Sequence, residues 1–282
     1  MRFGVKHSGQ DIPIAELRDI WRIADEAHFD HLWNFDHLAA IGDGGPDRPV
    51  FEGWTIQAAM AEATQHVRIG AMVTGNTYRH PALLAKMAAT VDHLSNGRLE
   101  FGIGAAWAEI EHQMYGFDGL DHRVGRLSEA LQVIKSLWTQ QTTTFEGRYY
   151  HLKDAVFNPK PVQKPHPPIW IGAGGDTTLR LVARHADVWN ATIAEREETR
   201  QMVEKLDAAC ASVGRDPKEV RRSFQFRWDG ESTDEVVAKC GEMAELGFTE
   251  QIVYLFGTHP TRSAEKLANL LPELRREQRV AS

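Results

Sequence analysis

Short apolar runs alternate with longer stretches in which apolar residues recur every three or four positions, and this order repeats along nearly the whole chain. The two periods read as strand and helix. Arg2 to His7 is the first predicted strand. Ile14 to His28 follows as a helix, with Leu17, Ile20, Trp21, Ala24 and Ala27 at helical spacing. His31 to Phe35 is a second strand that runs into Asp36-His37, and Gly42 to Pro46 marks a loop of turn formers. The next elements are a helix at Trp54–Thr64, a strand at Val67–Val73 and a helix at Pro81–Ser95. Pro81 suits the first turn of that helix, and Asn96-Gly97 suits its end because both residues tolerate positive φ. Arg98 to Ile103 is the fourth strand. A long irregular stretch separates it from a helix at Arg123–Trp138.

Thr142 to Gln163 reads as an excursion, with hairpin character at Phe145–Tyr150 and a proline-rich run at its end. The rhythm then resumes with strands at Pro168–Gly172, Asp187–Ala191, Val220–Arg227 and Gln251–Leu255. Each is followed by a helix, at Thr177–His185, Glu195–Val213, Thr233–Leu246 and Thr261–Arg275. Eight β/α units with short apolar strands predict a (β/α)8 TIM barrel, with insertions after strand four and before strand five. An open doubly wound sheet is the alternative. In a barrel the chemistry sits at the C-terminal ends of the strands, so the residues there become the candidates.

Asp36 and His37 close strand two. An imidazole beside a carboxylate is a proton donor or acceptor near pH 7, whereas the same pair in a plain turn is a cap and a surface histidine. In strand three, Gly70 and Ala71 have little bulk, so that backbone or a flat ring can come close. Gly75 and Asn76 just beyond them permit unusual φ. Strand four ends Gly102-Ile103-Gly104-Ala105-Ala106-Trp107. This opens like a dinucleotide fingerprint, but Trp107 stands in the third glycine's place and no clean helix follows. What remains is a shelf of small residues ending in an aromatic, with core packing as the other reading of Trp107. After strand five, Gly172, Gly174, Gly175, Asp176 and Thr177 open a helix. Free backbone N–H groups there suit a phosphate, unless Asp176 merely caps the helix.

Composition narrows the function classes. The chain has 282 residues, 42% of them hydrophobic and 25% charged, with a net charge of −7. That balance recommends neither nucleic acid nor an anionic membrane as a partner. No apolar run approaches a membrane span, and the N-terminus runs straight into a strand without a signal-peptide pattern, so a cytoplasmic enzyme is expected. Cys210 and Cys240 lie in helical segments away from any CxxC pattern and are expected to be buried, reduced thiols. Thirteen scattered histidines without HxH or HExxH spacing make a metal site a poor fit. No GxSxG nucleophile elbow occurs. Trp138, Trp170, Trp189 and Trp228 read as core.

Taken in order, these segments resemble the bacterial luciferase-like monooxygenase family. The match runs through Gly70–Thr74, Tyr78-Arg79-His80-Pro81, Asp92–Arg98 and Gly102–Gly104. It continues through Arg126–Leu131, Tyr149-Tyr150, Pro167–Gly172 and Ala186–Asn190, and spans roughly residues 1–255. Within the family the chain is most similar to the branch that uses coenzyme F420, a deazaflavin. The resemblance implies a single barrel domain over residues 1–282 and a homodimer acting on a small-molecule substrate. The cofactor ring would lie over Met72, Val73, Thr74 and the Gly104–Trp107 shelf, with its phosphate toward Gly174-Gly175. It further implies that Asp36 and His37 touch ring or substrate, that His37 moves a proton and that the Met72–Val73 peptide is cis. Sugar-phosphate dehydrogenases of the family carry a catalytic glutamate where this chain has Trp107, and their phosphate-binding lysines have no match, so a sugar phosphate is disfavoured. The expected activity is hydride transfer between the deazaflavin and a small organic substrate. An FMN-dependent monooxygenase and a non-catalytic flavin or deazaflavin carrier remain the alternatives.

Overall fold

A computed structural model describes residues 1–191 and 195–280, with side chains to residue 276. In chain order its elements begin β1 (Arg2–Lys6), α1 (Ile14–Glu26), β2 (His31–Asn34), α2 (Gly53–Ala63), β3 (Arg68–Ala71), β4 (Thr74–Gly75), α3 (Pro81–Leu94) and β5 (Leu99–Gly104). Between β5 and the next barrel strand lie α4 (Glu109–Tyr115), α5 (Arg123–Thr139) and an antiparallel hairpin of β6 (Thr142–Glu146) and β7 (His151–Val156). The chain then returns to alternation with β8 (Ile169–Gly172), α6 (Asp176–His185), β9 (Val188–Ala191), α7 (Arg196–Ser212), β10 (Arg221–Trp228), α8 (Thr233–Glu245), β11 (Glu250–Leu255) and α9 (Pro260–Val280).

The main sheet runs β3-β2-β1-β11-β10-β9-β8-β5-β4, and every pairing in it is parallel. Pairing of β3 with β5, through Ile69 with Leu99 and Gly70 with Glu100, closes it. β3 and β4 are two halves of one barrel strand, so eight strand positions surround the axis among the described residues. The expected TIM barrel is the observed fold. The strand predicted as continuous from Val67 to Val73 breaks at Met72–Val73, where the peptide bond is cis as the resemblance implied.

Why the strands read as unbroken apolar runs is now visible. Each is covered by helices outside and by its neighbours across the barrel inside, so most strand residues are kept from water on both faces. Outside, residues such as Ile20, Leu32, Ile69 and Phe101 pack under the helices. Inside, Trp33, Met72, Trp170, Val188 and Ile252 form a second, smaller core. The rings of Trp33 and Trp170 meet edge to face with centroids 4.6 Å apart. Gly70 makes room for them, since a Cβ there would sit 2.4 Å from the Trp33 ring. Its smallness therefore serves this packing rather than the approach of a flat ligand. Below the aromatics, Glu100 accepts from Trp170 Nε1 at 2.5 Å and from Arg68. Glu250 is met by His31 at 2.8 Å and by Arg221 at 2.5 Å. Charged and aromatic groups thus fill the N-terminal end of the barrel.

The expected caps of α3 are both present: Pro81 opens it behind His80, and Asn96 and Gly97 follow its end at φ 52° and 80°. Gly75 and Asn76, in contrast, have no positive φ. Position 75 is small because a Cβ would strike the Tyr78 ring at 2.4 Å. All four tryptophans read as core are buried, and both cysteines are buried free thiols. No helix among the described residues is long and apolar enough to cross a membrane.

Candidate active site

At the C-terminal ends of the strands lies a cavity of about 1250 Å³. Asp36 and His37 leave β2 side by side but do different things. The Asp36 carboxylate is buried and fully engaged. It accepts a bidentate pair from Arg79 at 2.7 and 3.0 Å and a further bond from Thr74 Oγ1. Arg79 also reaches Glu52, whose carboxylate caps α2 through Trp54 N and Thr55 N. Asp36 is therefore the tie between β2, β4 and α2. A fork of this kind locks geometry more than it offers reactivity.

The carboxylate partner of His37 is Glu111, which the sequence reading missed, and not the adjacent Asp36. Glu111 Oε2 lies 2.8 Å from His37 Nδ1 and also accepts from the Tyr78 hydroxyl. Its other oxygen takes the backbone N–H groups of Leu38 at 2.6 Å and Ala39 at 3.0 Å. Burial alone would raise the Glu111 pKa. The bonds from His37, Tyr78 and Ala39 and the charge of His37 outweigh it and hold the carboxyl near 2. An ionised Glu111 can only accept, so the Nδ1 facing it is a proton-bearing nitrogen and Nε2 is the one left for the cavity. Burial and the Glu111 carboxylate both push the Tyr78 hydroxyl well above the usual phenol value, so it stays a donor.

Glu111 comes from α4, which stands in the stretch predicted as irregular. α4 turns Glu111 and His112 inward and leaves Ile110 and Met114 exposed. His112 pins it, with Nδ1 2.8 Å from the Ala108 carbonyl and Nε2 2.6 Å from Thr77 Oγ1. The one local sign of the helix was Gly116, which caps it at φ 68°.

The cavity floor is built from small residues around Val73. A Cβ at Gly104 would lie 2.8 Å from Val73 Cγ2, and one at Gly172 would lie 3.3 Å from it. Met72, Val73 and Thr74 line the cavity, as do Gly104, Ala105 and Ala106. Trp107 also lines it. It is 61% exposed, so it is no core residue, and its ring centroid is 5.5 Å from that of His37. On the β8 side Gly172, Gly174 and Thr178 take part, whereas Gly175, Asp176 and Thr177 do not. Asp176 begins α6 without capping it and pairs with Lys205 at 2.9 Å.

The Ala39–Glu52 loop supplies Ile41, Asp43 and Arg48 to the cavity wall, and Phe256 is present too. The loop near Thr192 lies outside the described residues. The Thr142–Gln163 excursion does not reach the cavity; Arg148, Tyr149 and Tyr150 hang instead from Glu129 through their backbone N–H groups. Among the described residues no cluster of His, Cys, Asp or Glu suits a metal ion.

Comparison with known proteins decides the family. The model of the luciferase-like monooxygenases matches residues 1–248. The chain belongs to the luciferase-like monooxygenase family. Within it, this luciferase-like protein is 31% identical over 278 residues to an F420-dependent glucose-6-phosphate dehydrogenase of Microbacterium testaceum, covering 96% of this chain and 81% of that one. It is 27% identical over 242 residues to an FMNH(2)-dependent dimethylsulfone monooxygenase of Pseudomonas putida, covering 83% of this chain and 66% of that one. Its fold superposes with a TM-score of 0.87 on an F420-dependent secondary alcohol dehydrogenase in complex with an F420-acetone adduct. That pair shares 17% identity over 97% of this chain and 99% of the other.

Proposed function

We propose that the protein is a coenzyme F420-dependent oxidoreductase that moves a hydride between the deazaflavin and a small organic substrate, with His37 giving or taking the accompanying proton. The observation that carries this reading is the His37–Glu111 pair at the edge of a cavity floored by glycines. A wall of small residues in the same cavity as a positioned imidazole suits a planar ring whose substrate needs one proton. The F420-dependent relatives support the same cofactor.

Coenzyme F420 would supply hydride chemistry at C5 of its deazaflavin. Met72, Val73 and Thr74, with Gly104, Ala105, Ala106 and Trp107, would hold the ring. Gly172 and Gly174 would adjoin it, leading toward the start of α6. There, Gly175, Asp176 and Thr177 present backbone N–H groups at the positive end of the helix dipole. The pairing of Asp176 with Lys205 offsets the acidic charge beside a phosphate. His37 would hold its exchangeable proton on Nε2, while Glu111 and Tyr78 keep the ring oriented. Asp36 positions the loop rather than reacting.

The test is a titration of purified protein with F420 and with FMN, followed by turnover against small alcohols, aldehydes and enones. His37→Ala is expected to bind F420 as the wild type does and to lose about 10²- to 10⁴-fold in turnover. Unchanged turnover would remove His37 from the mechanism. The Pseudomonas relative favours a second reading, a monooxygenase using reduced FMN, and tighter binding of FMN than of F420 would establish it.

A further inference from the structure

Four cations line the cavity around this site, and among the described residues only Arg48 is paired with a carboxylate. Arg48 is paired with Asp11 at 2.5 Å, and Arg123 donates to the Ala106 carbonyl at 3.0 Å on the β5 side. Lys6, at the end of β1, is buried at 6% exposure. Its Nζ donates to the Met72 carbonyl and to Gln225 Oε1, both at 2.9 Å, and lies 4.7 Å from the centre of the Tyr254 ring. An ammonium has three protons, so one remains. Arg227, on β10, turns its guanidinium over the Phe256 ring at 4.8 Å and makes no hydrogen bond or ion pair among the described residues. In contrast, Arg68, Arg79 and Arg221 at the barrel are each paired with a carboxylate.

β1 and β10 flank β11, so Lys6 and Arg227 stand on one side of the cavity mouth. β8 lies opposite β1 in the strand order, so Lys6 is remote from the α6 start proposed for the cofactor phosphate, and Arg227 stands between the two, separated from β8 by β9. Lys6 is buried without an anion, which is unfavourable for its charged form, whereas Arg227 is exposed and free to swing to a ligand; an anion that reaches both would restore the balance at Lys6.

We infer that Lys6 and Arg227 form an oxyanion subsite, and that the substrate of the proposed oxidoreductase places a carboxylate or phosphate there. Occupation by substrate rests on the F420 reading; the subsite does not. Burial, with Arg227 adding to it, brings the Lys6 ammonium down to about 7. Arg227 and Tyr254 are the charged and titratable groups facing it from β10 and β11. From β2, Asp36 is held by Arg79 and His37 by Glu111. His7, next along the chain, is pushed down to about 4 by burial and adds no charge at neutral pH. Anion binding should therefore be tight below pH 7 and weaken as Lys6 loses its proton.

The probe is inorganic sulfate, whose charge is constant from pH 6 to 8, titrated calorimetrically into apo and F420-loaded protein. Sulfate should bind both forms and bind about 10-fold more weakly at pH 8 than at pH 6, as expected if only protonated Lys6 receives it. Arg227→Gln and Lys6→Met should each weaken binding about 10-fold or more. The guanidinium of Arg227 has no hydrogen-bonded or charged partner to lose among the described residues, so that variant answers the question even where Lys6→Met fails to fold. Equal binding by Arg227→Gln, or no sulfate binding by the wild type, overturns the subsite. Loss of sulfate binding on loading with F420 assigns the cations to the cofactor and overturns the substrate class. A protein that binds neither cofactor yet holds sulfate through both residues sinks the oxidoreductase reading and keeps the subsite.

Discussion

His37 has two ring nitrogens, and Glu111 takes one of them, which leaves a single direction for proton exchange with the cavity. Glu111→Gln keeps the shape but loses the ionised acceptor. It should lower kcat/KM by up to about 10²-fold and change the pH profile, which a merely structural loss would scale without moving. The same variant has a stability signature. Glu111 is held near 2 in the fold against a usual value of 4.5, so its contribution is complete above pH 4.5 and is lost as pH falls toward 2. Urea midpoints measured from pH 5 to pH 3 should therefore fall less steeply in Glu111→Gln than in the wild type. An identical slope would show that Glu111 gains nothing from its partners. Asp36-His37 was legible in the sequence because strand-end position singles out such a pair. Its partners were not. Glu111 lies 74 residues from His37, on a helix too short to show a period, and Arg79 lies 43 residues from Asp36. Nothing local announces a contact closed by the barrel.

At the scale of elements, the alternation of strand and helix was legible because the barrel strands are largely buried on both faces and the covering helices on one. The break between β3 and β4 was not, since Ile69 to Val73 reads as one apolar run. Two glycines of β5 beside that break look alike in sequence and differ in what surrounds them. A Cβ at Gly102 would fall 2.0 Å from the Ala71 carbonyl oxygen, which belongs to backbone and cannot yield. A Cβ at Gly104 meets only Val73 Cγ2, a side chain that can turn, at the cavity floor. Gly102→Ala should therefore cost about 3 kcal/mol of unfolding free energy or more, with little direct effect on a bound ring. Gly104→Ala should cost less than about 1.5 kcal/mol but weaken F420 binding about 10-fold. Urea unfolding and an F420 titration on both variants separate the two roles. Equal losses of stability would refute the assignment of Gly104 to the ring floor.

For the whole molecule the asymmetry of the barrel matters most. Its N-terminal end is filled by Trp33, Trp170 and the pairs around Glu100 and Glu250, so the large cavity opens at the C-terminal end. A ligand bound there touches the ends of most strands at once and is lost on unfolding, so binding and global stability are linked. At 100 times its Kd, a single ligand stabilises the folded chain by about 2.7 kcal/mol. For a domain of this size that is a rise in Tm of roughly 5–10 °C. F420 should produce it, and FMN at equal concentration should produce less. If Lys6 and Arg227 serve the substrate, sulfate and F420 are held by different groups and their increments should add, because neither displaces the other. Increments that fail to add would place both ligands on the same groups, and a larger rise with FMN would make the protein a flavin enzyme.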